Sequence, residues 1–199
     1  MTSRLLISAM QVTLDGYSHS AKDESDWVDS WADGLDLLPP VDAFVLGGGM
    51  FPGYQWFWTS VLEDPTAVAD MLGRDVYPRE VAYARLAAET PHLVLSKTVV
   101  DPDWPTARVV HDIEEIGALK EQPGKPFYVV GGPGLVTSLL DAGLLDELRL
   151  IVHPVVTGGG VALFGANGRR RGLELMSAEP MTLGRVNLNY RPAKPMPSI

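Results

Sequence analysis

One stretch constrains the fold more than any other: FYVVGGPGLVTSLLDAGLLDELRLIVHPVV, residues 127–156. It runs from an apolar segment through a glycine turn and a short helical segment into a second apolar segment. Apolar runs without alternation suit strands buried on both faces, and a helix between two such strands is the connection that parallel pairing requires. Pro133 fits the first helical position, since its missing N–H would be orphaned there anyway. Leu135, Leu139 and Leu140 supply an inward face, and Gly143 is placed for a left-handed cap.

The same alternation recurs along the chain. Residues 4–10 read as a buried strand, followed by the turn Leu14-Asp15-Gly16. Trp27, Trp31, Leu35 and Leu38 fall at helical spacing, which predicts a helix over 24–38 ended by Pro39 and Pro40. Strands are expected at 42–48, 92–96 and 107–110, and helices at 79–89 and 112–121. The second helix opens on an Asp112–Glu115 capping pattern. Two antiparallel strands are expected near 172–178 and 183–191. The fold class is therefore α/β, a central and mostly parallel sheet flanked by helices with antiparallel C-terminal strands. With no linker or internal repeat, residues 1–199 read as a single domain.

Composition removes several functions. A net charge of −9 opposes nucleic-acid binding, and the only basic run, Arg169–Arg171, reads as a solvated loop or a contact for one phosphate group. There are no cysteines, which excludes thiolate chemistry and fits a reducing cytoplasm. No segment is long and apolar enough to span a membrane. The four histidines are scattered, with no paired spacing, so no metal site is expected.

A glycine turn feeding a helix can hold phosphate on its backbone amides, or it can be a turn and nothing more. It is not a dinucleotide fingerprint of the G-x-G-x-x-G kind, because Thr137 stands where the third glycine belongs. Nor is Gly124-Lys125 a P-loop, since Leu119 and Pro126 occupy its other key positions.

Five stretches in order decide the matter: TLDGY at 13–17, DAFVLGGGMFPGY at 42–54, PHLVLSKT at 91–98, residues 128–164 around YVVGGPGLVTSLLDAGLLDELRL, and GRVNLNYRP at 184–192. Together they resemble the dihydrofolate-reductase-like family that includes the reductase domain of the bifunctional riboflavin-biosynthesis protein. The resemblance implies NADPH lying across the sheet's carboxyl edge beside a pterin- or pyrimidine-like small molecule. It assigns cofactor contact to Gly131, Gly132, Pro133, Gly134 and Leu135, to Gly47, Gly48, Gly49 and Met50, and to Ser96, Lys97 and Thr98. Family members often carry Gly-Arg-x-Thr-Tyr after the second strand; here the arginine is absent and a triple glycine stands there.

On the substrate side, Asp15 matches the family's first-loop acid and is assigned catalysis and substrate contact; the alternative is a turn residue capping its own backbone. Asp26, roughly where folate reductases carry their pterin-binding carboxylate, is assigned catalysis with Asp15, or is a helix N-terminal charge. Tyr54, with Trp56, Phe57 and Trp58, stacks on a ring substrate, packs in the core or forms a subunit interface. The resemblance implies a cytoplasmic NADPH-dependent reductase, similar to 5-amino-6-(5-phosphoribosylamino)uracil reductase, working as a homodimer. The alternatives are a dihydrofolate reductase, a non-catalytic nucleotide or flavin binder on the same fold, and a scaffold module.

Overall fold

The computed structural model describes residues 3–21, 25–98, 101–165 and 170–193. Its strands are β1 (Leu6–Thr13), β2 (Tyr17–His19), β3 (Ala43–Gly47), β4 (His92–Leu95), β5 (Ala107–Val110), β6 (Phe127–Gly131), β7 (Glu147–His153), β8 (Val161–Ala162), β9 (Leu173–Pro180) and β10 (Val186–Pro192). The helices are α1 (Phe51–Glu63), α2 (Pro65–Leu72), α3 (Pro78–Glu89), α4 (Ile113–Lys120) and α5 (Pro133–Asp141). Eight strands form one sheet in the order β5-β4-β3-β6-β1-β7-β10-β9. The first six run parallel, and β10 lies antiparallel to both its neighbours.

Strand alternation divides the core into two layers. Leu6, Met10, Val45, Val129 and Leu148 face α4 and α5. Ala9, Phe44, Leu46 and Tyr128 face α1, α3 and a 3-10 turn at Trp31–Leu37. Several expected caps are present: the Asp112 side chain accepts the Glu115 amide at 2.8 Å, and Gly143 takes φ 68° just past α5.

The helix expected over 24–38 is not there. Ser30 adopts extended backbone and its hydroxyl accepts the Ala32 amide, so a short 3-10 turn starts afresh at Trp31. Its inward residues are Ala32, Asp33 and Gly34, while Trp31 is 40% exposed. The tryptophan–leucine spacing fails because a close approach wins: a Cβ on Gly34 would stand 3.0 Å from the Tyr128 hydroxyl and 3.4 Å from Ala9. Conversely, α1 and α2 were not foreseen. Their signal was present, since Phe51, Tyr54, Trp58 and Val61 are the buried stripe of α1 at helical spacing.

His92 opens β4 inside an aromatic cluster, stacked on Trp104 at 4.5 Å and edge-on to Phe44 at 5.1 Å. Burial pushes its pKa down to about 4, so it is neutral in the fold. The unfolded chain takes up that proton near about pH 6.5, so the unfolded state binds more protons below this value and stability falls from there to about pH 4. At about 1.4 kcal/mol per pKa unit the full loss is on the order of 3 kcal/mol. Urea midpoints should drop from neutral to mildly acid solution, and His92→Gln should shrink that slope.

Candidate active site

The site begins where a ladder stops. β1 pairs with β6 only from Leu6↔Phe127 to Ser8↔Val129, yet stays paired with β7 as far as Thr13↔His153. β6 meanwhile follows β3 to Leu46↔Gly131. The carboxyl halves of β1 and β6 therefore part and leave a slot in the sheet's edge. β6 also fills the gap between β1 and β3 after the chain has run out to β5. That makes the slot a switch point of the topology, the place where open α/β sheets bind ligands.

Glycines keep its walls thin. Gly131 has φ 138°, and a Cβ on it would meet the sulfurs of Met10 and Met50 at 3.3 and 3.4 Å. The Gly131–Gly132 peptide is cis. Beyond it α5 opens with Gly132 at its cap and no side chain capping it. The Leu135 and Val136 amides both go to the Gly132 carbonyl, at 3.0 and 3.2 Å, so Gly134 supplies the donor left at the helix mouth. A Cβ on Gly132 or Gly134 would meet nothing within 4 Å, and the same holds for Gly47 and Gly49 after β3, on the other side of β6. Bare backbone facing open space suits a phosphorylated ligand.

Gly48 is glycine for another reason. A Cβ there would lie 2.5 Å from the Ser96 hydroxyl, so the loops after β3 and β4 interlock. The Gly48 amide donates to the Leu95 carbonyl at 2.9 Å, and the Ser96 hydroxyl accepts the Thr98 amide at 3.2 Å. This locks Ser96 and Lys97 as one rim of a cleft of about 760 Å³ that His111, Glu114 and Asp141 also line. Asp141 is held by Arg171, at 2.6 Å, which brings part of the basic run to this rim; Arg169 lies outside the described residues.

On the other side of β1 lies a buried polar cluster. The Gln11 amide nitrogen donates to the Ser30 carbonyl at 2.7 Å, which turns its oxygen toward His153 Nε2 at 2.9 Å. That oxygen can only accept, so His153 is fixed as the Nε2–H tautomer. Burial, aided by the Arg185 charge, pushes the His153 pKa down to about 4 and keeps the ring neutral. Asp33 pairs with Arg185 and, at 3.0 Å, with Arg79. Glu80, fully buried, takes Arg74 through both oxygens at 2.8 and 3.0 Å and the Ser30 hydroxyl at 2.9 Å. The segment 29–33 is thereby clasped to α3 and to the start of β10.

The residues expected at the site divide accordingly. Gly47–Met50, Ser96–Thr98 and Gly131–Leu135 converge on the carboxyl edge, although the Leu135 side chain is core. Asp15 stands at that edge, but its carboxylate accepts the Thr13 hydroxyl at 2.6 Å and the Thr157 and Gly158 amides at 3.3 and 2.8 Å. The Thr13 bond above all holds its pKa below the usual carboxylate value. Asp15 thus staples the β1–β2 turn to the loop after β7 as an anion. Asp26 is exposed on a turn, and the acid of this region that turns inward is Asp33. Tyr54 needs correction: it is 6% exposed in the α1 core stripe, its hydroxyl 3.1 Å from that of Tyr83, and it does not reach the slot. Gln11, Asp33, His153 and Arg185 were missed, because nothing in their spacing marks residues that meet only through strand pairing.

The RibD C-terminal domain model matches residues 4–186, and the chain belongs to that family. Uncharacterized protein YyaP of Bacillus subtilis is 29% identical over 196 residues, covering 96% of each chain. Riboflavin biosynthesis protein RibD of Mycobacterium tuberculosis is 27% identical over 165 residues, which are 75% of this chain and 42% of RibD. Among solved structures, dihydrofolate reductase from Enterococcus faecalis complexed with NADP(H) superposes with a TM-score of 0.62 at 14% identity, over 97% of this chain and 99% of that one. Acinetobacter baumannii RibD gives 0.59 at 17%, over 96% and 58%. At these identities the likeness is one of fold, and it bears out the dihydrofolate-reductase-like architecture. Among the described residues no cluster of acids or histidines could hold a metal, and no helix is long and apolar enough to cross a membrane.

Removing one partner of the Asp33 clasp leaves charge buried without compensation, which costs about 3–5 kcal/mol. Asp33→Asn should lower the stability read from urea unfolding by that order, whereas Asp26→Asn should leave it within about 0.5 kcal/mol.

Proposed function

We propose that the protein is a cytoplasmic NADPH-dependent reductase of a pyrimidine- or pterin-like small molecule, acting as a homodimer. The observation that carries this is the slot itself. Unpaired strand edge, bare glycine backbone and the Gly134 amide meet there, next to a cleft carrying Lys97. The E. faecalis fold neighbour complexed with NADP(H), and RibD among the sequence relatives, support the cofactor and the substrate class.

When bound, the cofactor supplies the hydride; this chain's part is to hold two rings face to face and exclude water. The Gly134 amide and the backbone at Gly132 suit the pyrophosphate, and the Lys97 ammonium suits a 2′-phosphate in the cleft behind Ser96. The slot between β1 and β6, floored by Met10, is left for the reacting ring. Asp15 is committed as an anion to the Thr13 hydroxyl and the Thr157 and Gly158 amides, so its part is to tie that loop to the β1–β2 turn rather than to give up a proton. A non-catalytic nucleotide or flavin binder is the second reading, and it draws on the commitment of Asp15 and Asp33 to structural partners.

The dimer would form on the face of β7, β10 and β9 beyond α5. Leu150, Val152, Leu188 and Tyr190 are only partly buried there and Leu175 is 52% exposed on the edge strand. Sedimentation should give twice the chain mass, and Leu175→Lys should shift it toward the monomer.

Gly134→Ala separates ligand from fold. Gly134 lies in the first turn of α5, and an alanine Cβ there meets no protein atom, so the substitution leaves the fold intact. The melting temperature should hold or rise while NADPH affinity, read by quenching of the five tryptophans, falls at least about tenfold. Unchanged NADPH affinity would remove the phosphate from this helix mouth. Turnover would then be read as NADPH oxidation; its Asp15→Asn variant should show no change in the position of any pH limb above about pH 5.

A further inference from the structure

A second cleft, of about 300 Å³, lies between α1, α3 and the loop that joins β4 to β5, and it shares no residue with the slot or with the Lys97 cleft. Trp58 and Trp104 form aromatic walls, and Leu62 with Ala84 and Ala88 adds aliphatic surface. Trp104 stacks on His92 at 4.5 Å, and that ring is neutral. The arginines that lie over aromatic rings sit on Phe127 and Tyr77, so neither tryptophan meets a cation among the described residues. Two lining side chains carry charge, Glu63 and Asp103, and both are acids. Neither has an ion-pair partner among the described residues.

The spacing of the two acids narrows what the cleft can take. Gln55 and Glu63 both line it from α1, and their places in the helix set them about 12 Å apart along its axis. The Gln55 amide donates to the Asp103 carbonyl, which puts Asp103 at the end away from Glu63. Glu63 closes α1, where the carbonyl end of the helix adds partial negative charge. A metal ion needs several oxygens within about 2.3–2.6 Å, which carboxylates so far apart cannot supply. An anion is repelled at both ends, and a single ammonium meets only one of them. The complement is a linear chain with a cation at each end. Its methylenes would lie on Leu62, Ala84 and Ala88, and a central ammonium would face the indoles. We infer that this cleft binds a linear polyamine of about spermidine length, its terminal ammonium groups on Glu63 and Asp103. The site goes beyond the reductase reading and does not rest on it.

Calorimetric titration of the full chain tests this, at about 0.15 M salt so that diffuse attraction to a net charge of −9 is screened. Spermidine should bind once per chain. Putrescine is too short to reach both acids, and spermidine acetylated at one terminal amine keeps the length but loses an end charge. Each should bind at least about fivefold more weakly than spermidine. Glu63 and Asp103 are exposed, so Glu63→Gln and Asp103→Asn should keep the melting temperature while weakening spermidine by a similar factor. Asp70→Asn, at an exposed acid of α2 outside the cleft, should leave the affinity unchanged. Ala88→Phe sets a ring in the groove from an exposed position and should abolish binding. The site is overturned by the absence of saturable spermidine binding or by equal affinity for the three amines. It is overturned equally if Asp70→Asn weakens binding as much as Glu63→Gln, or if Ala88→Phe binds as wild type does. NADPH affinity, measured on the same samples, decides the reductase reading separately.

Discussion

The arrangement depends on β1 having two neighbours of unequal reach. It leaves β6 after Ser8 and stays with β7 to Thr13. A strand zipped equally on both sides would close the sheet edge, and the glycines after β3 and β6 would then border a solid wall. Because the zip is uneven, the backbone of β1 beyond Ala9 faces a gap, with the glycine turn after β6 on its other side. Main-chain polar groups need partners. A gap lined by them is therefore a place where a polar ligand lowers the free energy of the protein as well as its own.

The two sides of the gap are built by different means. The cofactor side is nearly all backbone: Gly131, Gly132 and Gly134 present no side chain, and Gly48 is glycine so that Ser96 can lock the neighbouring loop against it. The opposite side is mostly side chain, and it is held by ion pairs whose carboxylates, Asp33 and Glu80, are buried. Such pairs contribute little net stability compared with apolar packing, yet breaking one is expensive. Their effect is to fix one geometry for residues 29–33, a segment that has no regular helix to hold it.

How far the sequence showed this follows from the range of each interaction. Strands and caps were legible where the decisive contacts are local: the apolar runs of β3 and β6, Asp112 over the Glu115 amide, Gly143 past α5. The glycine loops were legible too, because a family pattern keeps them in order. The stretch 24–38 was misread because its helical spacing competes with a contact from far away, Gly34 under the Tyr128 hydroxyl, which spacing cannot express. Tyr54 was drawn to the site by its neighbours in sequence, whereas its place in the stripe with Phe51, Trp58 and Val61 sends it into the core. Asp33 with Arg185, and Gln11 with His153, are separated by more than a hundred residues. Only the register of β1 on β7 and β10 on β7 brings them together.

That register has a consequence for biosynthesis. Both partners of β1 come late, since β6 begins at Phe127 and β7 at Glu147. An apolar ribbon from Leu6 to Val12 must therefore wait, with both edges bare, while well over a hundred further residues leave the ribosome. Non-local pairing of this kind is slow and exposed to aggregation. Recovery of folded protein should then be governed less by the stability of the finished sheet than by how long that first ribbon is left uncovered.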